Sequence, residues 1–333
     1  MSNDNSGDIT QTVELTFSDN RLLPSLYGEH GRHLTRIEHA LGIRVDCKGN
    51  TVSLAGNSNK VQYGRKVVEG LWKLVQANGH LTLEEVDAAI KMLGRPVRQA
   101  ASPQEADQKS EASIFDGVRL RGKNLIARSQ AQSHYVKLME AHELVLSVGP
   151  AGTGKTFLAV AQAVQALQRG AVERLILSRP AVEAGEKLGF LPGDMREKVD
   201  PYLRPMYDAL HDLLGAEHVN RLIATNRIEI APLAFMRGRT LSHAFFILDE
   251  AQNTNPMQLK MALTRLGTGS RMVVTGDLTQ IDLPAGTPSG LAEAVSVLRN
   301  VEGIGIMHFA NQDVVRHPLV AKIVAAYSAR DLV

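Results

Sequence analysis

The sequence predicts an α/β protein in which a parallel sheet with helices on both faces follows a small α+β module. Three observations carry this. First, short apolar runs at 144–148, 175–178, 228–231, 245–248, 272–275 and 304–308 alternate with helical patterns. Parallel sheets need that alternation, because each crossover takes a dozen residues or more. Second, Gly149-Pro150-Ala151-Gly152-Thr153-Gly154-Lys155-Thr156 joins the first run to a helical pattern of Phe157, Leu158, Val160, Ala161, Val164 and Leu167. That is the strand, glycine loop and helix order of a phosphate-binding loop. Third, the segment before residue 96 has shorter strands, a Gly49-Asn50 turn signal and one long amphipathic helix, a rhythm unlike that of residues 114–333.

With 333 residues the chain has material for about two domains. Hydrophobic residues at 44% and charged residues at 22% fit a globular protein and exclude a disordered one. A net charge of +2 is low for a dedicated nucleic-acid binder. No apolar run approaches the roughly 18 residues of a membrane span. The start is polar and lacks the basic and apolar regions of a secretion signal, so a cytoplasmic location is expected. Cys47 is the one cysteine, which excludes an internal disulfide.

In chain order, residues 1–10 read as a disordered tail and 11–95 as the first domain. Val13, Leu15 and Phe17 alternate as in a strand, and a short helical segment ends near Tyr27. Gly28-Glu29-His30-Gly31 leads into a helix with Leu34, Ile37 and Leu41 on one side, capped by Gly42. Ile43, Val45 and Cys47 alternate with polar residues, which points Cys47 toward the core. A helix comes next, from about Ser58 to Gln76, then another that starts behind Thr82 as N-cap. Residues 96–113 are polar and aperiodic, the expected linker. The second domain, 114–333, opens with a hairpin around Arg121-Gly122-Lys123-Asn124.

The first domain resembles a KH domain: a G-x-x-G loop between helices, a β-hairpin, then a closing helix. KH domains clamp about four nucleotides of backbone at that loop. The resemblance implies phosphate contacts from Gly28, Gly31, Arg32 and Arg36. Against it, the loop interior is Glu29-His30, and residues 10–95 hold eleven Lys/Arg against nine Asp/Glu. A KH-shaped assembly module that binds no RNA stays open.

Chemistry concentrates in the second domain. Glycines let backbone N–H groups surround phosphates, Lys155 reaches the β- and γ-phosphates, and the Thr156 hydroxyl holds Mg²⁺. The apolar run 244–248 ends in Asp249-Glu250, a Walker B pattern. Asp249 is expected on Mg²⁺ and Glu250 as general base for the attacking water. The run 272–275 ends in Gly276-Asp277-Leu278-Thr279-Gln280, where Gln280 could sense the γ-phosphate, orient the attacking water or serve structure. Asp249-Glu250-Ala251-Gln252 together with this segment is similar to motifs II and III of superfamily 1 helicases.

Further segments narrow the resemblance: Ser178-Arg179-Pro180 with its continuation to Gly193, Phe235-Met236-Arg237-Gly238-Arg239-Thr240, Leu263-Thr264-Arg265-Leu266-Gly267 and Asp313-Val314-Val315-Arg316-His317-Pro318. With the Walker motifs they closely resemble the PhoH-like family over about residues 114–329, and the KH-like front end points to its bacterial YbeZ-type branch. The resemblance implies a single RecA-like ATPase core using ATP and Mg²⁺, assembled as a ring, a hexamer. It also implies a role in RNA metabolism or the phosphate-starvation response, with an RNA-processing or ribosome-associated partner. Nucleotide contacts are then expected from Gly149, Pro150, Ala151, Gly152, Thr153, Gly154, Lys155, Thr156 and Phe157. Gln132 is expected on the adenine edge with Tyr135 near the base; a plain helix N-terminus is the alternative there. A single core lacks the second motor domain of helicases, so a neighbouring subunit's arginine is expected to complete the site. Arg316 is the first choice; Arg179, Arg265 and Arg237 are rivals. The histidines His243, His308 and His317 lack metal-ligand spacing. Two functions are open: an ATPase that remodels or unwinds RNA, or a nucleotide-dependent switch acting on a protein partner without moving a strand.

Overall fold

The computed structural model describes residues 10–93, 117–120, 123–180 and 195–314, with positions 320 and 323. The expected tail before Thr10, the linker, the motif residues 181–193, Arg316 and His317 lie outside the described residues. Contacts divide the chain into two units, 1–117 with 122–133 and 118–121 with 134–333.

The first unit contains β1 (Thr10–Thr16), α1 (Leu23–Tyr27), α2 (Arg32–Leu41), β2 (Arg44–Lys48), β3 (Thr51–Asn57), α3 (Ser58–Asn78) and α4 (Leu83–Leu93). The strands form an antiparallel sheet in the order β1-β3-β2. Local chemistry sets the boundaries. Asn57 caps α3 by accepting from the Asn59 N–H, and Gly79 ends it in the left-handed conformation. Thr82 and Glu85 exchange bonds of 2.8 and 3.3 Å as a capping box at the start of α4. Ile37, Val52, Leu54, Val67, Leu71 and Val75 are fully buried between sheet and helices. Burying each large aliphatic side chain contributes about 1.5–3 kcal/mol.

Cys47 departs from expectation: it is exposed. Alternation in β2 buries only Val45. Because β2 is an edge strand, its partner Val52 in the central strand takes the burial and Cys47 stays at the rim.

Strands form on both flanks of the expected hairpin, β4 (Gly117–Leu120) and β5 (Lys123–Ile126), with Arg121 and Gly122 outside the described residues. Then come α5 (Gln130–Ala141), β6 (Leu144–Val148), α6 (Lys155–Gln168), β7 (Arg174–Arg179), α7 (Met195–Leu214), α8 (Ala216–Ala224), β8 (Ile228–Pro232), β9 (Ala244–Leu248), α9 (Pro256–Leu263), β10 (Arg271–Gly276), α10 (Gly290–Val297) and β11 (Ile304–His308). The sheet of the second unit has the order β11-β6-β10-β9-β7-β8, and every neighbouring pair is parallel. Each expected apolar run is a strand. Every residue of β6 and β9 is buried, which is why these strands read as unbroken apolar runs. No helix among the described residues is long and apolar enough to cross a membrane.

This strand order builds the site. β10 lies between β6 and β9, so three adjacent strands end side by side: β6 in the glycine loop, β10 in Gly276-Asp277, β9 in Asp249-Glu250. The Gly149 N–H donates to the Gly276 carbonyl at 3.1 Å, tying the end of β6 to that of β10, and the Asp249 N–H to the Ser178 carbonyl at 2.9 Å, tying the end of β9 to β7. Ligands of open parallel sheets bind at this edge.

Candidate functional site

The loop from Gly149 to Gly154 turns β6 into α6. Gly149 has φ +153°, and a Cβ there would lie 2.6 Å from both Cβ and the carbonyl oxygen of Phe309. The first motif glycine is therefore demanded by the chain just after β11. A Gly149→Ala variant is expected to lower the thermal midpoint by several degrees, from a clash of about 1–3 kcal/mol; an unchanged midpoint would show that Phe309 yields freely. At the other end, Gly154 (φ 85°) precedes α6 with no side-chain cap, leaving the first-turn N–H groups of the helix for an anion.

Lys155 is 8% exposed. Its ammonium donates to the carbonyls of Gly149 at 2.6 Å and Pro150 at 2.9 Å, and lies 3.4 Å from the Thr153 hydroxyl. Burial pushes it below the usual lysine range, against the pull of Asp277, Asp249 and Glu250. Beneath the loop, Tyr135 is fully buried, its hydroxyl 3.4 Å from the Lys155 carbonyl and its ring edge-on to Phe309. Burial raises its phenol pKa. Tyr135 thus supports the loop from behind rather than packing against a base, because no face of its ring is open.

Asp249 is buried and its Oδ1 accepts from the hydroxyls of Thr156 at 2.7 Å and Thr275 at 2.5 Å. One hydroxyl and one carboxylate in contact suit a hard divalent ion that keeps water and phosphate oxygens as its other ligands. No cluster of three His, Cys, Asp or Glu side chains among the described residues offers a metal a fuller cage. The residues present fit Mg²⁺ bound with a nucleotide.

Glu250 adopts the left-handed conformation, φ 52°, rare for a non-glycine residue. Its Oε2 accepts from the Gln252 amide at 2.5 Å, and its Oε1 lies 3.5 Å from the Arg179 guanidinium. Gln252 also donates to the Gln280 carbonyl (3.1 Å) and accepts from the Asp277 N–H (3.1 Å). Asp277 in turn accepts from the Ala151 N–H at 3.1 Å, from Thr279 at 2.9 and 2.6 Å, and from the Gln280 amide at 2.9 Å. Burial pushes the Asp277 carboxyl up, but the Thr279 and Ala151 hydrogen bonds and the Lys155 charge outweigh it and hold it below the usual range. A continuous network therefore links the glycine loop through Asp277 and Gln252 to Glu250. Gly276 makes room for it: a Cβ there would strike Leu291 and come within 2.8 Å of the Gln252 carboxamide oxygen.

These groups line one cleft of about 260 Å³, walled by Ala151, Gly152, Gly154, Lys155, Thr156, Phe157, Asp249, Glu250, Gly276, Asp277 and Gln280. Gln280 thus stands at the cleft with its amide turned to Asp277. Gln132, in the first unit, is buried; its Oε1 accepts from the Arg128 N–H at 2.6 Å and its N–H donates to the Ser129 hydroxyl, the bonds of a helix start. Among the rival arginines, Arg265 donates to the Met261 and Arg239 carbonyls of its own chain, Arg237 is exposed, and Arg179 faces Glu250. At the G-x-x-G loop, Gly28 has φ 74° and a Cβ there would lie 2.7 Å from the His33 ring, and Gly31 has φ 73°. Arg32 pairs with Glu29 at 3.5 Å, and Arg36 with Asp87 at 2.6 Å.

Sequence reasoning missed Asp277, Gln252 and Phe309. Asp277 carried a signal, an acid directly after an apolar strand as at Asp249. Gln252 carried a weaker one, two residues past Glu250. Nothing local marks Phe309.

A glycine loop between strand and helix, with paired acids two strands away and a polar strand end between them, defines a P-loop NTPase of RecA-like architecture. Comparison with known proteins narrows the class. A family model described as PhoH-like protein matches residues 124–328. A "PhoH-like protein" of Bacillus subtilis (strain 168) is 46% identical over 314 residues, 92% of this chain and 94% of that one. Its counterpart in Mycobacterium tuberculosis (strain ATCC 25618 / H37Rv) is 46% identical over 307 residues, 92% of this chain and 85% of that one. "Protein PhoH" of Escherichia coli (strain K12) is 46% identical over 206 residues, 61% of this chain and 58% of that one. The chain belongs to the PhoH-like family. Among solved structures, the Pif1 helicase from Candida albicans overlaps 56% of this chain and 41% of its own at 13% identity and a TM-score of 0.30, too slight an overlap to assign anything.

Proposed function

We propose that this chain hydrolyses ATP with Mg²⁺ and couples turnover to the binding or remodelling of RNA, in the cytoplasm. The observation that carries the hydrolytic reading is the convergence on one cleft of Lys155, the Thr156–Asp249 pair and Glu250. Bound Mg²⁺ would be held by Thr156 and Asp249 and would neutralise phosphate charge. Lys155 would exchange its carbonyl partners for phosphate oxygens and stabilise the charge that spreads over the transferred group. Glu250, aimed by Gln252, would take a proton from water attacking the γ-phosphorus in line as ADP leaves. Gln280 would sense the γ-phosphate or orient the attacking water.

The transition-state charge also calls for an arginine from a neighbouring subunit of a ring, hexameric in this reading. Arg265 is held by its own backbone carbonyls and Arg179 faces Glu250 of its own chain, which favours Arg316 and Arg237 as the candidates.

The RNA part rests on the KH-like element order of the first unit, in which the Gly28–Gly31 turn joins α1 to α2 ahead of the β2–β3 hairpin. The ion pairs favour the second reading, a nucleotide switch acting on an RNA-processing or ribosome-associated protein. Arg32 and Arg36 already face carboxylates, so phosphate would have to displace them. Single-stranded RNA is expected to raise ATP turnover at least about tenfold, the scale of one allosteric coupling. Turnover that RNA leaves unmoved makes the first unit an assembly surface and the switch the better account.

A further inference from the structure

We propose that Arg179 is a positioning residue that restrains Glu250 from within the same chain, so that basal turnover is held down until the pair opens; this rests on the ATPase reading above. β7 and β9 are adjacent, and the bond from the Asp249 N–H to the Ser178 carbonyl sets Arg179 beside Glu250. One Glu250 oxygen faces the Arg179 guanidinium and the other takes the Gln252 amide. A general base must offer an oxygen to water; each Glu250 oxygen keeps a lone pair for one, but its approach is constrained by the Arg179 charge on one side and the Gln252 amide on the other.

The two grips differ. Gln252 is itself fixed by Asp277 and the Gln280 carbonyl, so it orients Glu250 without being easily moved. Arg179 makes a contact with Glu250 of 3.5 Å, whereas the forked Arg239–Glu229 pair closes to 2.6 and 2.7 Å. Charged hydrogen bonds that hold structure are short, so of the two grips on Glu250 the Arg179 contact is the weaker. Glu250 lines the cleft and Arg179 does not. Arg179 is thus placed to act on the base rather than on the phosphate, in cis and not as a finger from a neighbour.

The test is steady-state phosphate release from Mg-ATP by the full chain, comparing wild type, Arg179→Ala, Arg179→Lys, Glu250→Gln and the Arg179→Ala/Glu250→Gln double variant. Arg179→Ala is expected to raise kcat about three- to tenfold with KM for ATP within about twofold, the scale of losing one weak ion pair to Glu250. Arg179→Lys, which keeps the charge, should stay near wild type. The double variant should be no faster than Glu250→Gln, because the effect passes through Glu250. A fall in kcat of about tenfold or more in both Arg179 variants overturns the proposal and makes Arg179 a phosphate-stabilising group. An unchanged kcat in Arg179→Ala overturns it as well. If wild type releases no phosphate above a Lys155→Ala blank, the ATPase reading itself falls, and this inference with it.

Discussion

Replacing Lys155 by alanine is expected to lower ATP turnover by about two to three orders of magnitude, the effect of removing one preorganised charge from a transition state. The ammonium is buried within the loop it serves, bonded to the Gly149 and Pro150 carbonyls. The charges of Asp277, Asp249 and Glu250 favour its charged form against burial. Without it the cleft presents carboxylates to a polyphosphate, so nucleotide binding should weaken along with turnover. Phosphate release and a fluorescent-nucleotide titration on the purified variant check both effects. Turnover close to wild type would sink the P-loop assignment. A lowered melting midpoint alone would not explain selective loss of turnover, so the midpoint is measured beside it.

Glu250→Gln is the second large effect, and its signature is the opposite. The amide keeps the volume of the carboxylate and can still accept from Gln252, so the network to Asp277 survives. Lys155, Thr156 and Asp249 are untouched, and ATP should bind within a few-fold of wild type. What is lost is the proton acceptor. Turnover should fall by about two to four orders of magnitude, the range of general-base catalysis. Binding measured beside phosphate release separates the outcomes: retained binding with lost turnover supports the base, whereas lost binding makes Glu250 a structural group or a metal ligand.

The parts of this site that were legible in the sequence are those whose causes are local. Strands β6 and β9 are buried on both faces, so they read as apolar runs whatever surrounds them. The glycine loop needs positive φ at Gly152 and Gly154, and Asp249-Glu250 comes directly at the end of its strand. What stayed hidden depends on strands far apart in sequence that end together. Gln252 reaches Asp277 only because β10 lies beside β9, and Gly149 must be glycine only because the chain after β11 crosses it with Phe309. Arg179 was legible only as one of several arginines that could serve a neighbouring subunit; that it faces Glu250 follows from β7 lying beside β9. In the first unit, Cys47 matched the alternation of a buried face, but an edge strand left it exposed. Arg36 looked open to phosphate until α4 brought Asp87 against it.

The central claim is that this cleft hydrolyses ATP by means of Mg²⁺, Lys155 and Glu250. The most direct test is phosphate release from ATP by the purified wild-type chain, in Mg²⁺ and in excess EDTA, with Lys155→Ala as blank. Release is expected only with Mg²⁺ and is expected to disappear in the blank. Release that persists in EDTA, or that Lys155→Ala retains, would contradict the claim.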